Sequence, residues 1–280
     1  MSDFSLVIFT VLVQTAIGIF GILAILRLTA RGTAGAEVLA LDKSMLYVWP
    51  IFVIGMIASA THLGQPFNGL NFVRGLLHGS PLSIEVLACL AFAATGIGYG
   101  FVTITGRLAS MKLPLLVISM ILAVAVVVAM TRLYFLAAVP VWNNVWTPIQ
   151  FILTAVSLGV TGIMVLLRGV HQDTHFPAED WLPFMAILTI AALLASVPGY
   201  QAWLAALSPG PNFEILPAYV PQLYGLRIAA IAVALAITVW AAVRRAPRAS
   251  VWYIVVFVLL LASEFMGRIT FFELRSSMGL

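Results

Sequence analysis

Eight stretches of about twenty residues, almost free of charge, dominate this chain: Phe4–Leu26, Met45–His62, Leu82–Ile104, Leu115–Leu136, Pro148–Leu167, Trp181–Leu207, Leu223–Val243 and Val251–Phe272. Each is long enough to cross the hydrocarbon core of a bilayer as a helix. In lipid a backbone must satisfy its own polar groups, so such stretches can only be helices or a closed barrel. The short alternating segments of a barrel are absent from the sequence. The pattern therefore predicts an all-α, polytopic membrane protein of eight spanning helices, a single membrane domain over residues 1–280 embedded in the lipid bilayer. Composition agrees: 62% of residues are hydrophobic and 9% charged, against about 25% charged in soluble domains.

The few charges give the orientation. With the N-terminus outside, nine of the 14 Lys and Arg residues fall on the inner side, including Arg27, Lys43, Arg107 and Lys112. Five remain outside, and three of these, Arg132, Arg227 and Arg268, belong to spans rather than loops. The positive-inside bias then places both termini on the outer, periplasmic side. The same distribution explains the net charge of +4 without nucleic acid as a partner. No Lys or Arg precedes the first span, which reads as a retained helix rather than a cleaved signal.

On that orientation His62, Arg132, Glu264 and Arg268 lie near the outer ends of their spans, and Glu85 and Arg227 lie within about two turns of theirs. The inner half of the apolar zone is expected to hold no ionisable residue. A charge at mid-bilayer costs roughly 2.5–3.5 kcal/mol on the lenient insertion scales, so the group needs partners or a task. Glu264 and Arg268 are four apart on one helical face and can neutralise one another or face a ligand. Arg132 and Arg227 lack a local partner and must find Glu85, Glu264, a backbone carbonyl, a water-filled cavity or a ligand. Trp142 and Trp146 form an interfacial belt or wall a flat ligand, with Asn143 and Asn144 as hydrogen-bonding groups.

A one-sided set of a histidine, two carboxylates and three arginines suits oxidation of a lipid-soluble quinol. That reaction releases two electrons and two protons, and needs a base near water, donors to the ring oxygens and apolar walls. His62, whose ordinary pKa is near 6.5, is the favoured base, with Glu85 orienting it or relaying the proton. Haem needs a second axial ligand in a facing span, and His62 has none; His78, His171 and His175 all fall in loops. The sole cysteine, Cys89, leaves no cluster for an iron–sulfur centre. No haem or metal is expected in this chain, so the electrons must leave through a partner. The competing readings are an outward-facing secondary transporter of an anionic substrate and a haem-bearing cytochrome b anchor.

The motifs His62-Leu-Gly-Gln-Pro66, Leu82-Ser-Ile-Glu85, Arg132-Leu-Tyr134, Val139-Pro-Val-Trp142, Trp146-Thr-Pro148 and Glu264-Phe-Met-Gly-Arg268, in this order, resemble the membrane-anchor subunit of bacterial dimethyl sulfoxide reductases, the DmsC family. The resemblance runs from the first span to the last. It implies an anchor in the bacterial inner membrane that oxidises menaquinol to menaquinone. An iron–sulfur subunit on the outer face would take the electrons and feed a molybdopterin catalytic subunit. Carried over to this chain, His62 and Glu85 become catalytic candidates. Arg132, Arg227, Trp142, Glu264 and Arg268 join them as candidate quinol-binding residues.

Overall fold

The computed structural model describes residues 3–30, 35–62, 72–170, 181–207, 219–244 and 251–276, with the backbone alone for residues 3, 36, 37, 62, 168–170 and 276. Among the described residues the chain is all-helical. The helices are α1 (Asp3–Thr29), α2 (Gly35–Ser44), α3 (Val48–His62), α4 (Phe72–Leu77), α5 (Pro81–Thr105), α6 (Lys112–Leu133), α7 (Trp146–Val170), α8 (Leu182–Ala206), α9 (Tyr219–Val243) and α10 (Val251–Ser276). Among the described residues eight helices are long and apolar enough to cross a membrane, and the protein is multi-pass.

The second span begins earlier than composition places it. α2 continues through a single 3₁₀ turn, Met45–Tyr47, into α3, so the apolar helix runs Val38–Thr61 and takes in Asp42. Local signals set other boundaries. Pro81 opens α5 where its missing N–H costs nothing. Gly106 closes it in the left-handed conformation, its N–H bonding to the Val102 carbonyl at 3.0 Å. At the start of α7 the Asn144 side chain accepts the Trp146 N–H at 2.9 Å. Its amide donates to Val141 O at 2.8 Å, so Asn144 is committed to this turn.

The spans assemble as two closed rings of four. In the first, α1 packs on α3, α5 on α6 and α6 on α1. The ring closes through Trp49 and Phe52 of α3, which meet Phe92 of α5 tilted and edge-on respectively. The GxxxG step serves this closure: a Cβ on Gly96 would lie 2.2 Å from the Trp49 ring, and one on Gly100 3.1 Å from Leu46. In the second ring α7, α8, α9 and α10 follow one another, and α10 returns to α7. α1 joins the rings by packing on both α7 and α10. Here backbones touch, because a Cβ on Gly18 would lie 1.9 Å from the Ala155 carbonyl oxygen. α1 is accordingly the most buried span. We call the end of the bundle where α1 begins the near end, and the opposite one the far end.

Candidate functional site

Arg227 on α9 and Glu264 on α10 form a buried ion pair, Nη2 to Oε1, at 3.1 Å. The second carboxylate oxygen accepts the Thr154 hydroxyl from α7. Of the two arginines open to Glu264, the packing selects Arg227 on the neighbouring helix, and Arg268 crosses the inter-ring seam. Its Nη2 donates to Gln14 Oε1 of α1 at 2.7 Å, and its guanidinium lies 3.6 Å from the centre of the Phe151 ring. Arginine suits both contacts, having a planar fork of donors and a face that stacks on aromatics. Gln14 in turn reaches Met130 Sδ of α6 at 3.9 Å.

The small residue in the Glu264-Phe-Met-Gly-Arg268 motif has a direct use. A Cβ at Gly267 would lie 2.5 Å from Arg227 Cζ, so Gly267 is the seat of that guanidinium. The network holds two cations and one anion, all at most 3% exposed. Three buried donors, Arg227 Nε, Arg268 Nε and Gln150 Nε2, have no hydrogen-bond partner among the described residues. Donors left this way cost about 1–3 kcal/mol each in the absence of an acceptor. The cluster therefore carries more buried donors than the described residues supply acceptors for.

Its depth matches the expectation. α9 starts at Tyr219, which puts Arg227 eight residues, about 12 Å or two turns, inside. Gln14 lies about 16 Å along α1. Glu85 shares this level. The Ser119–Thr95 hydrogen bond, 2.9 Å, fixes the antiparallel register of α5 and α6 and sets Glu85 about level with Ala129, beside Met130. Glu85 nevertheless belongs to the first ring. It is 3% exposed, and its Oε1 lacks a hydrogen-bond partner among the described residues. Arg132 is exposed at the near end of α6 and lines a groove between α1, α6 and α7. His62 closes α3, but its side chain lies outside the described residues, as do His171 and His175.

Trp142 is built into a packing cluster. Its indole N–H donates to the Phe271 carbonyl at 2.7 Å, and its ring stacks on Phe271 with Tyr134 at the edge. It ties the loop after α6 to α10. Sequence reasoning misses Gln14, Gln150 and Thr154, uncharged residues whose burial follows only from the seam.

The expectation of an inner half without ionisable groups fails at Asp42. This residue, 1% exposed, meets Arg27 of α1 at 2.8 Å, Lys112 of α6 and the Tyr99 hydroxyl of α5. It is a far-end clasp joining all four members of the first ring. A second span that starts at Met45 leaves Asp42 in a loop, which is why hydropathy does not reveal the clasp.

Comparison with known proteins agrees with the motif reading. The family model described as DMSO reductase anchor subunit (DmsC) matches residues 1–274. Two subunits of anaerobic dimethyl sulfoxide reductases of Escherichia coli (strain K12), the C subunit and YnfH, are 32% and 31% identical, each over 99% of this chain and 96% of its own. The C subunit of the Haemophilus influenzae anaerobic dimethyl sulfoxide reductase is 28% identical over 71% of each sequence. In architecture the chain is similar to one in the structure of bd oxidase from Geobacillus thermodenitrificans, with a TM-score of 0.69, 13% identity and coverage of 99% of this chain and 86% of that one. At that identity the likeness is one of fold. By the family match over nearly its whole length and these near-complete relatives, the chain belongs to the DmsC family of DMSO reductase anchor subunits.

Proposed function

We propose that this chain oxidises a lipid-soluble quinol, menaquinol on the family resemblance, at the near end of the bundle and passes both electrons to an iron–sulfur partner docked there. That partner feeds a molybdopterin-bearing catalytic subunit, which reduces the terminal acceptor. The near end is the periplasmic side of the bacterial inner membrane, on the positive-inside count, with both termini facing outward.

The observation that carries this reading is Glu85, a buried carboxylate with an open hydrogen-bonding oxygen, one turn inside the near end of α5. A carboxylate in that setting is an expensive structural choice and a useful proton acceptor. Quinol oxidation breaks two O–H bonds, sends two electrons to the partner and leaves two protons to be carried away. Glu85 and His62, which ends the preceding span, take these protons toward the near face. Arg268 and Gln150 contribute N–H donors toward a ring oxygen. Arg227 and Glu264 hold one another in place beside them, and Trp142 braces α10 against the loop. Arg132 stands where the substrate enters from lipid.

The test uses the assembled complex with two electron sources. His62→Ala is expected to lose nearly all quinol-dependent reduction of the acceptor while keeping activity with a reduced viologen dye that feeds the partner subunits. Glu85→Gln is expected to lose part of it, with a displaced pH profile. Wild-type quinol turnover in both assembled variants overturns the site.

A further inference from the structure

We infer that the lipid-facing groove between α1, α6 and α7 holds the isoprenoid tail of the quinol, with Arg132 positioning the head at its near end; this rests on the quinol reading above. The groove encloses about 900 Å³, at the upper end of the roughly 300–1,000 Å³ typical of small-molecule pockets. It follows α6 from residue 120 to residue 132, a length of about 18 Å.

Its shape comes from glycine. Gly18 lets α1 and α7 meet backbone to backbone, which recesses the floor between the two rings. Gly21, one turn farther, has nothing within 4 Å of where a Cβ would stand, so its missing side chain is open space. The walls are branched apolar side chains such as Val124 and Ile152. Polar side chains enter only at one end, as Thr131 and Arg132.

A furrow apolar along its length and polar at one end fits an amphiphile with a single long chain. A diacyl phospholipid brings two chains and seeks a headgroup level outside the helices. Thr131, by contrast, is only 7% exposed. The mouth is also linked to the buried donor cluster: Met130, next to Thr131, touches Gln14, which holds Arg268. A tail lying in the groove brings its ring about level with Glu85, with Met130 and Gln14 between it and Arg268. Van der Waals packing along the groove then supplies affinity over bulk lipid, and the polar mouth sets the register.

The test compares, in the purified complex, a menaquinol carrying four isoprene units with tailless menadiol. Gly21→Phe fills the groove and is expected to raise KM for the tailed quinol about tenfold or more. KM and kcat for menadiol and the dye-driven rate should stay at wild-type values. Val124→Trp, on the opposite wall, should give the same split, and it serves alone if α1 does not accommodate the phenyl ring. Equal changes for both quinols, or no change for the tailed one in either variant, overturn the inference; a groove filled by phospholipid gives the second result. A wild-type complex that oxidises neither quinol removes the functional reading itself, and the tail site with it.

Discussion

Arg227 and Glu264 join the last two spans through a buried ion pair of 3.1 Å, and Thr154 extends it to the fifth span. Removing one member of such a pair strands the other charge in a low-dielectric interior, at a cost of about 3–5 kcal/mol. Replacing both by apolar residues of similar volume removes that penalty. Glu264→Ala alone is therefore expected to lower the thermal midpoint of the detergent-solubilised complex markedly. Arg227→Met combined with Glu264→Leu should recover most of the loss. If quinol turnover stays low in the recovered double variant, the pair serves the site as well as the fold; recovery of both makes it a brace alone.

Gly267 and Arg227 make a sharper case. A methyl group at Gly267 would stand 2.5 Å from Arg227 Cζ, so the guanidinium must leave its seat and take Glu264 with it. Gly267→Ala improves helix propensity by up to about 1 kcal/mol, yet forced overpacking costs typically about 1–3 kcal/mol. The expected net result is destabilisation, read as a lower midpoint and weaker quinol-dependent activity. A more stable Gly267→Ala complex would show that Arg227 has another low-energy position.

Much of this fold is legible in the sequence, for identifiable reasons. Hydrophobic length alone predicts eight helices, because lipid permits so few alternatives. Charges in apolar stretches mark Glu85, Arg227, Glu264 and Arg268, all of which are buried. The sequence leaves both Arg268 and Arg227 open as partners of Glu264, and the packing selects Arg227. Gln14 and Thr154 carry no charge to draw notice, and they matter only because α1 enters the seam between the rings. Asp42 escapes for a different reason. A 3₁₀ turn joins α2 to α3 and lengthens a span that composition begins at Met45.

Asp42 supports a prediction that separates stability from chemistry. It holds Arg27 and Lys112 together at the far end, away from the proposed quinol site. Asp42→Asn leaves two cations facing one another with a neutral amide between them, a destabilisation of about 1–3 kcal/mol for a clasp whose cations are partly exposed. The variant should accumulate less and melt earlier in detergent. Whatever complex assembles should show the wild-type KM for quinol. A raised KM at unchanged assembly would tie the far-end clasp to substrate binding.

Orientation decides where the protons go, and the sole cysteine makes it simple to measure. Cys89 is buried on α5 and at 1% exposure should resist thiol reagents in the folded protein. In a Cys89→Ser background, a cysteine introduced at Ser2 reports the side of the first terminus. One introduced at Ser110, an exposed residue of the far-end turn between α5 and α6, reports the opposite side. Nine of 14 basic residues belong to the side away from the termini, and juxtamembrane Lys and Arg are retained on the cytoplasmic side. Ser2→Cys should therefore react with a membrane-impermeant maleimide in intact cells with a permeabilised outer membrane, whereas Ser110→Cys should react only after the inner membrane is opened. The reverse pattern would put Glu85 and its protons on the cytoplasmic side and move the partner-docking face with them.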